Sequence, residues 1–354
     1  MKRKLPWLVL ILAVAGSLFL LSDFRINATY FGVRPENDGV VNSQNLQMLI
    51  DWVSPMGGTV YIPAGEYEFA QNGTQTIGAH CIKMRSNVRI VGDGERTVLK
   101  PVGESAYGLD MFYFNDYLDL GQADYLENCV FEDFVIDAVG TSCQVYTSAG
   151  KGFMFNLFRN CHWNGVTVRN TDATGFGVDC PLDSSIVNCW AFDCGKAADP
   201  ESTGASGFGI GFGFSDDESI RIEGCYAEGN AKFGFFFEHQ GRFDPQRYQA
   251  KGTGGFAVLD STARENRYNF GGIAAFGGVY ENCTSTDALC DGCYFENCSD
   301  FRVTKCVFLR SGDYDIRVEG QCASLVLTEN RSDTNRLLLG SSDDCEDAGN
   351  SWNE

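Results

Sequence analysis

The chain repeats itself with a period too short for a domain and too long for a single helix or strand. Three stretches align: Asn188-Cys-Trp-Ala-Phe-Asp-Cys194, Gly224-Cys-Tyr-Ala-Glu-Gly-Asn230 and Asp260-Ser-Thr-Ala-Arg-Glu-Asn266. A second family of segments pairs glycine with an aromatic or aliphatic residue: Gly152-Phe-Met-Phe-Asn156, Gly175-Phe-Gly-Val-Asp179, Gly207-Phe-Gly-Ile-Gly211 and Gly234-Phe-Phe-Phe-Glu238. A third is β-branched: Val166–Val168, Ser219–Ile222, Phe301–Val303 and Ser324–Leu327. Cys283 and Cys306 stand 23 residues apart, and other cysteine intervals stretch to 28, 32 and 36. A unit of that length, with insertions at one corner, predicts an all-β right-handed parallel β-helix. Each coil of such a solenoid stacks short strands on the next at about 4.8 Å.

Stacking also explains which residues recur. Cysteine follows a polar or turn-type residue in Asn128-Cys129, Asn160-Cys161, Asn188-Cys189, Gly224-Cys225, Asn282-Cys283, Asn297-Cys298 and Lys305-Cys306. In a coil this reads as an inward ladder of small apolar side chains, with asparagine at a left-handed corner bonding along the stack. The ladder cysteines are expected as free thiols, with Cys290, Cys293 and Cys298 the exceptions to watch. The Cys290-Asp-Gly-Cys293 pair has no partner at zinc spacing, so no metal site is assigned to it. Leu46, Leu49, Ile50 and Val53 lie at helical spacing behind an Asn42 or Ser43 cap, with Pro55 as the stop. That predicts a short helix closing the open N-terminal end of the solenoid.

The organisation follows. Lys2, Arg3 and Lys4 precede an uncharged run from Leu5 to Ser22, so residues 1–24 read as a signal peptide or a membrane anchor. Residues 25–354 form one β-helix domain: cap and first coils over 25–100, coils over 101–340, and an acidic tail over 341–354. The body is expected to be secreted or held at the outer face of the cell membrane, touching the membrane only through that anchor. A formal charge of −20 excludes nucleic acid as a partner and opposes anionic surfaces.

The N-terminal motifs carry a resemblance. Tyr30-Phe-Gly-Val33, Asp38-Gly39, Gly57-Gly-Thr-Val-Tyr-Ile-Pro-Ala-Gly65-Glu-Tyr67 and Asn87-Val-Arg-Ile-Val-Gly92 resemble the start of pectate-lyase-like β-helix proteins. That fold hosts lyases, hydrolases, epimerases and depolymerases. Residues 164 to 280 resemble the catalytic module of mannuronan epimerases, which carry Tyr-Gly-Phe-Asp-Pro-His on a groove strand and Arg-His before a later Gly-Phe. Here the aspartate is kept as Asp179, Phe176 stands at the tyrosine, Cys180-Pro181 replaces Pro-His, and the Arg-His pair reads Lys232-Phe233. The resemblance implies a groove at these coils, while the tyrosine and both histidines are replaced. Asn170-Thr171-Asp172 and Asp216-Asp217 are similar to the acidic motifs of polygalacturonases, but they stand 44 residues apart and no Gly-His-Gly follows.

Strand alternation places the candidate residues independently. Phe176 and Val178 point inward and Asp179 outward, in line with Asn156, Gly211 and Glu238 on neighbouring coils. Asp179 and Glu238 are then two coils apart, about 9.6 Å, with room at Gly211 for a sugar ring. That is near the upper end of the carboxyl separation in inverting glycosidases, about 6.5–9.5 Å. The insertion from His239 to Tyr248 is aromatic and locally basic. His239 and Lys232 join the two carboxylates as catalytic candidates, Arg242 and Tyr248 as substrate-binding ones. Asn156, the outward aromatics Phe236 and Tyr294, and the pair Asp216 and Asp217 complete the binding set. Asp216-Asp217 is also a candidate calcium site, although no cofactor is required. Asp313, Asp315 and Glu319 form a second acidic stripe, expected to face solvent. The partner expected is a polysaccharide, cleaved by hydrolysis or β-elimination. A catalytically silent glycan-binding or structural β-helix and a divergent uronan epimerase are the alternatives.

Overall fold

The computed structural model describes residues 25–72, 78–121, 123–199, 205–240, 255–334, 336–340, 342–343 and 345–352. Three long sheets run the length of the molecule, two of twelve strands and one of eleven. Consecutive coils contribute one strand to each sheet, and neighbours pair in parallel, as in Trp163 beside Phe131 and Ile186. This is the right-handed parallel β-helix that the repeat predicts. The stretch expected as an acidic tail adds one more rung, since Glu346–Ala348 pairs with Val326–Thr328 and Ser351–Trp352 with Arg331–Ser332.

The third sheet carries the candidate residues Asn156, Asp179 and Glu238. Its strands include Asp110–Phe114, Phe153–Arg159, Phe176–Leu182, Phe208–Phe212, Phe233–His239, Tyr268–Ile273, Asp291–Glu296 and Ile316–Glu319. The first inward position of successive strands is a phenylalanine. Phe112, Phe153, Phe176, Phe208, Phe235 and Phe270 stack ring on ring at 5.4, 5.4, 4.7, 4.7 and 5.2 Å. All six are buried, which removes their apolar area from water and leaves the alternate residues to face outward.

The corners explain the cysteines more fully than apolar filling does. The Cys189 backbone N–H donates to Cys225 Sγ, that of Cys225 to Ser261 Oγ, and that of Cys306 to Asn330 Oδ1. A parallel corner does the same: Cys194 N–H to Asn230 Oδ1, then Asn230 N–H to Asn266 Oδ1. Each buried N–H at the bend is thus met by a short acceptor side chain from the next coil. The corner asparagines Asn128, Asn160, Asn188, Asn282 and Asn297 hold φ between 48° and 57°, and Asn160 Nδ2 donates to Asn128 Oδ1 at 2.8 Å. None of the fifteen cysteines is in a disulfide, including Cys290, Cys293 and Cys298. Thiol titration of the denatured, unreduced chain should therefore count close to fifteen, and a count of five or fewer would contradict this arrangement.

The capping helix, Gly39–Val53, begins a turn earlier than expected. Asp38 is its N-cap and accepts from Val41 N–H at 2.9 Å. Asn42 and Ser43 are instead buried, tying the helix to the first coil through Arg34, Glu68 and Ala70. Leu46, Leu49, Ile50 and Val53 close the end of the core. Among the described residues no helix is long and apolar enough to cross a membrane.

Candidate functional site

The register brings one outward column together. Asn156 pairs with Asp179, Asp179 with Gly211, and Gly211 with Glu238. Asp179 is only 6% exposed, and its Oδ1 accepts the Gly211 N–H at 3.0 Å. Asn156 is buried beside it, and its Oδ1 has no hydrogen-bond partner among the described residues. A buried carbonyl oxygen in that state can accept from a water or from a polar ligand. Leu157 and Cys180, which follow these two residues, hold φ at 63° and 60°. Left-handed backbone at such side chains is strained, and it recurs at other bends of the solenoid, as at Ala274 and Arg310.

The space expected over Gly211 is occupied. A Cβ there would run into the Gln240 side chain and would stand 2.7 Å from Asp179 Oδ1. Gln240 Nε2 donates to Glu238 Oε1 at 2.8 Å, so this side chain bridges the two carboxylate positions. The next gap in the floor is filled as well. A Cβ on Gly177 would collide with the Lys151 stem and stand 2.8 Å from Nζ. Lys151 therefore lies across the groove strand two residues before Asp179. It is buried, and its Nζ donates to the Met154 thioether at 3.4 Å.

Lys151 belongs to a polar edge that sequence reasoning missed. Asp110 Oδ1 accepts the backbone N–H groups of Gly150 and Lys151 at 3.0 and 2.7 Å. Asp172, expected as a simple turn residue, is buried and paired with Lys196 Nζ at 3.3 Å. Burial lifts the Asp110 carboxyl from 3.8 to about 6, against the two N–H bonds and the Lys151 charge. An acid raised in this way keeps its proton in the folded chain where the unfolded chain has lost it. Stability thus falls as pH rises from about 4 to about 6 and stays lower above that. Asp110→Asn keeps the acceptor and removes the titration. Urea unfolding should find it more stable than the parent at pH 7, on the order of 1–3 kcal/mol, with the difference vanishing near pH 4.

The opposite edge is the turn after Phe208–Phe212. Glu218 accepts the N–H groups of Gly213, Phe214 and Ser215 at 2.6, 2.8 and 3.0 Å. It also bonds Cys180, the neighbour of Asp179, and burial raises its carboxyl despite these bonds. This clamp presents Phe214 to Tyr117 and Tyr125, each with ring centroids 6.3 Å away and edge-on. The three rings form an aromatic cluster at this edge of the third sheet. Asp216 and Asp217, singled out as binding residues and as a calcium pair, are exposed beyond this clamp. Among the described residues no three His, Cys, Asp or Glu side chains are grouped to hold a metal.

Other candidates are placed differently from the expectation. The strand runs on to His239, which puts His239 on the inner side with Phe235 and Phe237, away from Glu238. Its ring lies edge-on to Phe276 at 6.2 Å and against Gly213, and burial lowers its pKa. Lys232 stands before the other end of the strand, with Nζ 5.9 Å above the Phe233 ring. Six residues of extended chain, about 20 Å, separate it from Glu238. Phe236 is outward in phase yet buried, because Phe233 turns out at the corner and stacks on it at 4.4 Å. Phe176 is sandwiched in the core stack, so the ring at the epimerase tyrosine position cannot reach the groove. Asp315 is not solvent-facing: it is buried and accepts from Ser332, Thr334 and Arg336. Arg242 and Tyr248 lie outside the described residues.

No protein-family model matches the chain, and no curated protein matches it by sequence. Solved structures do match. The A-module of a mannuronan C-5 epimerase of Azotobacter vinelandii is similar over 93% of this chain and 100% of its own, with a TM-score of 0.59 and 15% identity. A tailspike variant of E. coli bacteriophage HK620, in complex with a hexasaccharide, matches 93% of this chain and 65% of its own (TM-score 0.54, 14% identity). A surface adhesin of Streptococcus pneumoniae matches 87% of this chain and 86% of its own (TM-score 0.57, 13% identity). At these identities the likeness establishes the fold alone.

Proposed function

We propose that this chain is an exported carbohydrate-active enzyme that binds a polysaccharide along the third sheet and hydrolyses it with Asp179 and Glu238. The observation that carries the reading is their position in one outward column, two rungs apart across a glycine. At about 4.8 Å per rung their separation suits an acid on one side of a sugar ring and a base-activated water on the other. The Gln240 amide lies over the gap and bonds Glu238. In this mechanism the sugar displaces the Gln240 amide and takes its place against Glu238. Tyr117, Tyr125 and Phe214 supply apolar faces for sugar rings, and Asn156 supplies an acceptor for a hydroxyl. The polysaccharide-acting epimerase and the oligosaccharide-bound tailspike, both of the same fold, support a glycan as the ligand.

A second reading has its own observation. The Lys151 ammonium, laid across Gly177, would pair with a uronate carboxylate and so acidify the adjacent C–H, whose proton a base such as Asp179 would take while the C4–O glycosidic bond breaks and its oxygen leaves. One panel separates the readings: neutral glycans, pectate and alginate, each followed for reducing ends and for ultraviolet absorbance. New reducing ends without absorbance support hydrolysis. Absorbing, unsaturated products support elimination and overturn the Asp179–Glu238 assignment. Binding without either product means a recognition module and overturns the enzyme reading.

A further inference from the structure

The closed end of the solenoid is apolar on its outside as well as its inside. While Leu46, Leu49, Ile50 and Val53 cover the core, Val40, Val41, Met48 and Trp52 on the same helix face solvent, with Met56 and Tyr30 beside them. Val41, Met48 and Trp52 are spaced by seven and four residues, which puts them on one helix face. Trp52 is 47% exposed and Tyr30 85%, and the Trp52 ring lies 5.7 Å from that of Phe31. Two ion pairs lie beside the patch, Arg34 with Glu36 and Arg85 with Asp51, and the exposed Asp38 caps the helix through the Val41 N–H. Soluble monomers seldom leave such a patch uncovered.

The chain itself indicates what covers it. The uncharged run Leu5 to Ser22 ends three residues before Arg25. Arg25–Asn27 is the edge strand of the first sheet, at this same end of the solenoid. The Arg25 guanidinium sits 3.9 Å above the Tyr61 ring, which fixes where the chain emerges. Three residues reach about 10 Å. With the apolar run retained in a bilayer and Lys2, Arg3 and Lys4 on the inner side, Arg25 cannot stand further than that from the outer lipid surface, which brings the capped end of the solenoid towards it. Tryptophan and tyrosine are the side chains that favour this interface.

We propose that residues 5–22 stay in the membrane as an anchor and that the outer face of the capping helix rests on the lipid surface, so that the solenoid points away from it. The test uses the full-length chain in phosphatidylcholine vesicles with and without brominated acyl chains, followed by tryptophan emission. Trp7 lies within the anchor and sets a baseline of quenching. The wild type should be quenched beyond that baseline, and Trp52→Phe, an exposed and structurally mild change, should lose the excess. Equal quenching of the two proteins in vesicles would overturn the docking. Recovery of the protein from cells in soluble form, with its N-terminus beyond Ser22, would overturn the anchor. Burial of Trp52 through concentration-dependent dimers without lipid would assign the face to a second copy instead.

Discussion

Asp179→Asn is expected to lower turnover on the polysaccharide by about a thousand-fold or more while shifting thermal unfolding by no more than about 2 °C. The reason for expecting such a separation is local. Asn retains an oxygen that can accept the Gly211 N–H now bonded to Asp179 Oδ1, and it matches the side chain in volume. What it loses is the charge and the capacity to hold a proton. Glu238→Gln should behave in the same way, although its link to Gln240 means that one amide must then rotate to keep a donor facing an acceptor. The discriminating result is the pair together. Full turnover in both variants would remove the column from the mechanism and turn attention to Lys151, whose replacement by Met keeps the packing over Gly177 but removes the ammonium.

Phe208→Ala should have the largest effect on stability, about 3–5 kcal/mol by urea unfolding. Phe208 lies in the middle of the ring column, 4.7 Å from Phe176 on one side and from Phe235 on the other. Truncation leaves a cavity that the flanking coils cannot close, because their spacing is set by backbone hydrogen bonds rather than by the rings. Phe208→Leu fills most of the volume and should cost less than half as much. A loss below about 1 kcal/mol for the alanine variant would mean that the stack follows the coil without holding it.

What could be read in advance, and what could not, follows from the range of each interaction. The coil period, the corner asparagines and the Asn156–Asp179–Gly211–Glu238 column depend on local alternation and on stacking of like on like, so a single chain displays them. The ends of strands are harder. The expectation for His239 failed because the strand was taken to end at Glu238; one further extended residue reverses the side that the imidazole faces. Phe236 kept its predicted phase, but its burial depends on Phe233 leaving the inner frame at a corner. Lys151 was legible as the residue before Gly152-Phe153 and nothing more. Only its contact with Gly177, on the following coil, makes it part of the groove. Glu218 was hidden behind the more conspicuous Asp216-Asp217, and its role appears only once three backbone N–H groups converge on it.

The corner ladders have a consequence for how such a molecule can change in length. Because each bend completes its hydrogen bonding with the acceptor offered by the next coil, the unit that can be gained or lost without harm is one whole turn. Any smaller insertion must loop out between two strands. Adding a turn between Tyr268–Ile273 and Ile316–Glu319 would extend the outer face by a single strand spacing, about 4.8 Å, and leave Asp179 and its neighbours where they are. The solenoid is in this sense a ruler with fixed graduations. A polymer lying along it meets a platform whose length can be tuned in steps, independently of the chemistry performed at one mark.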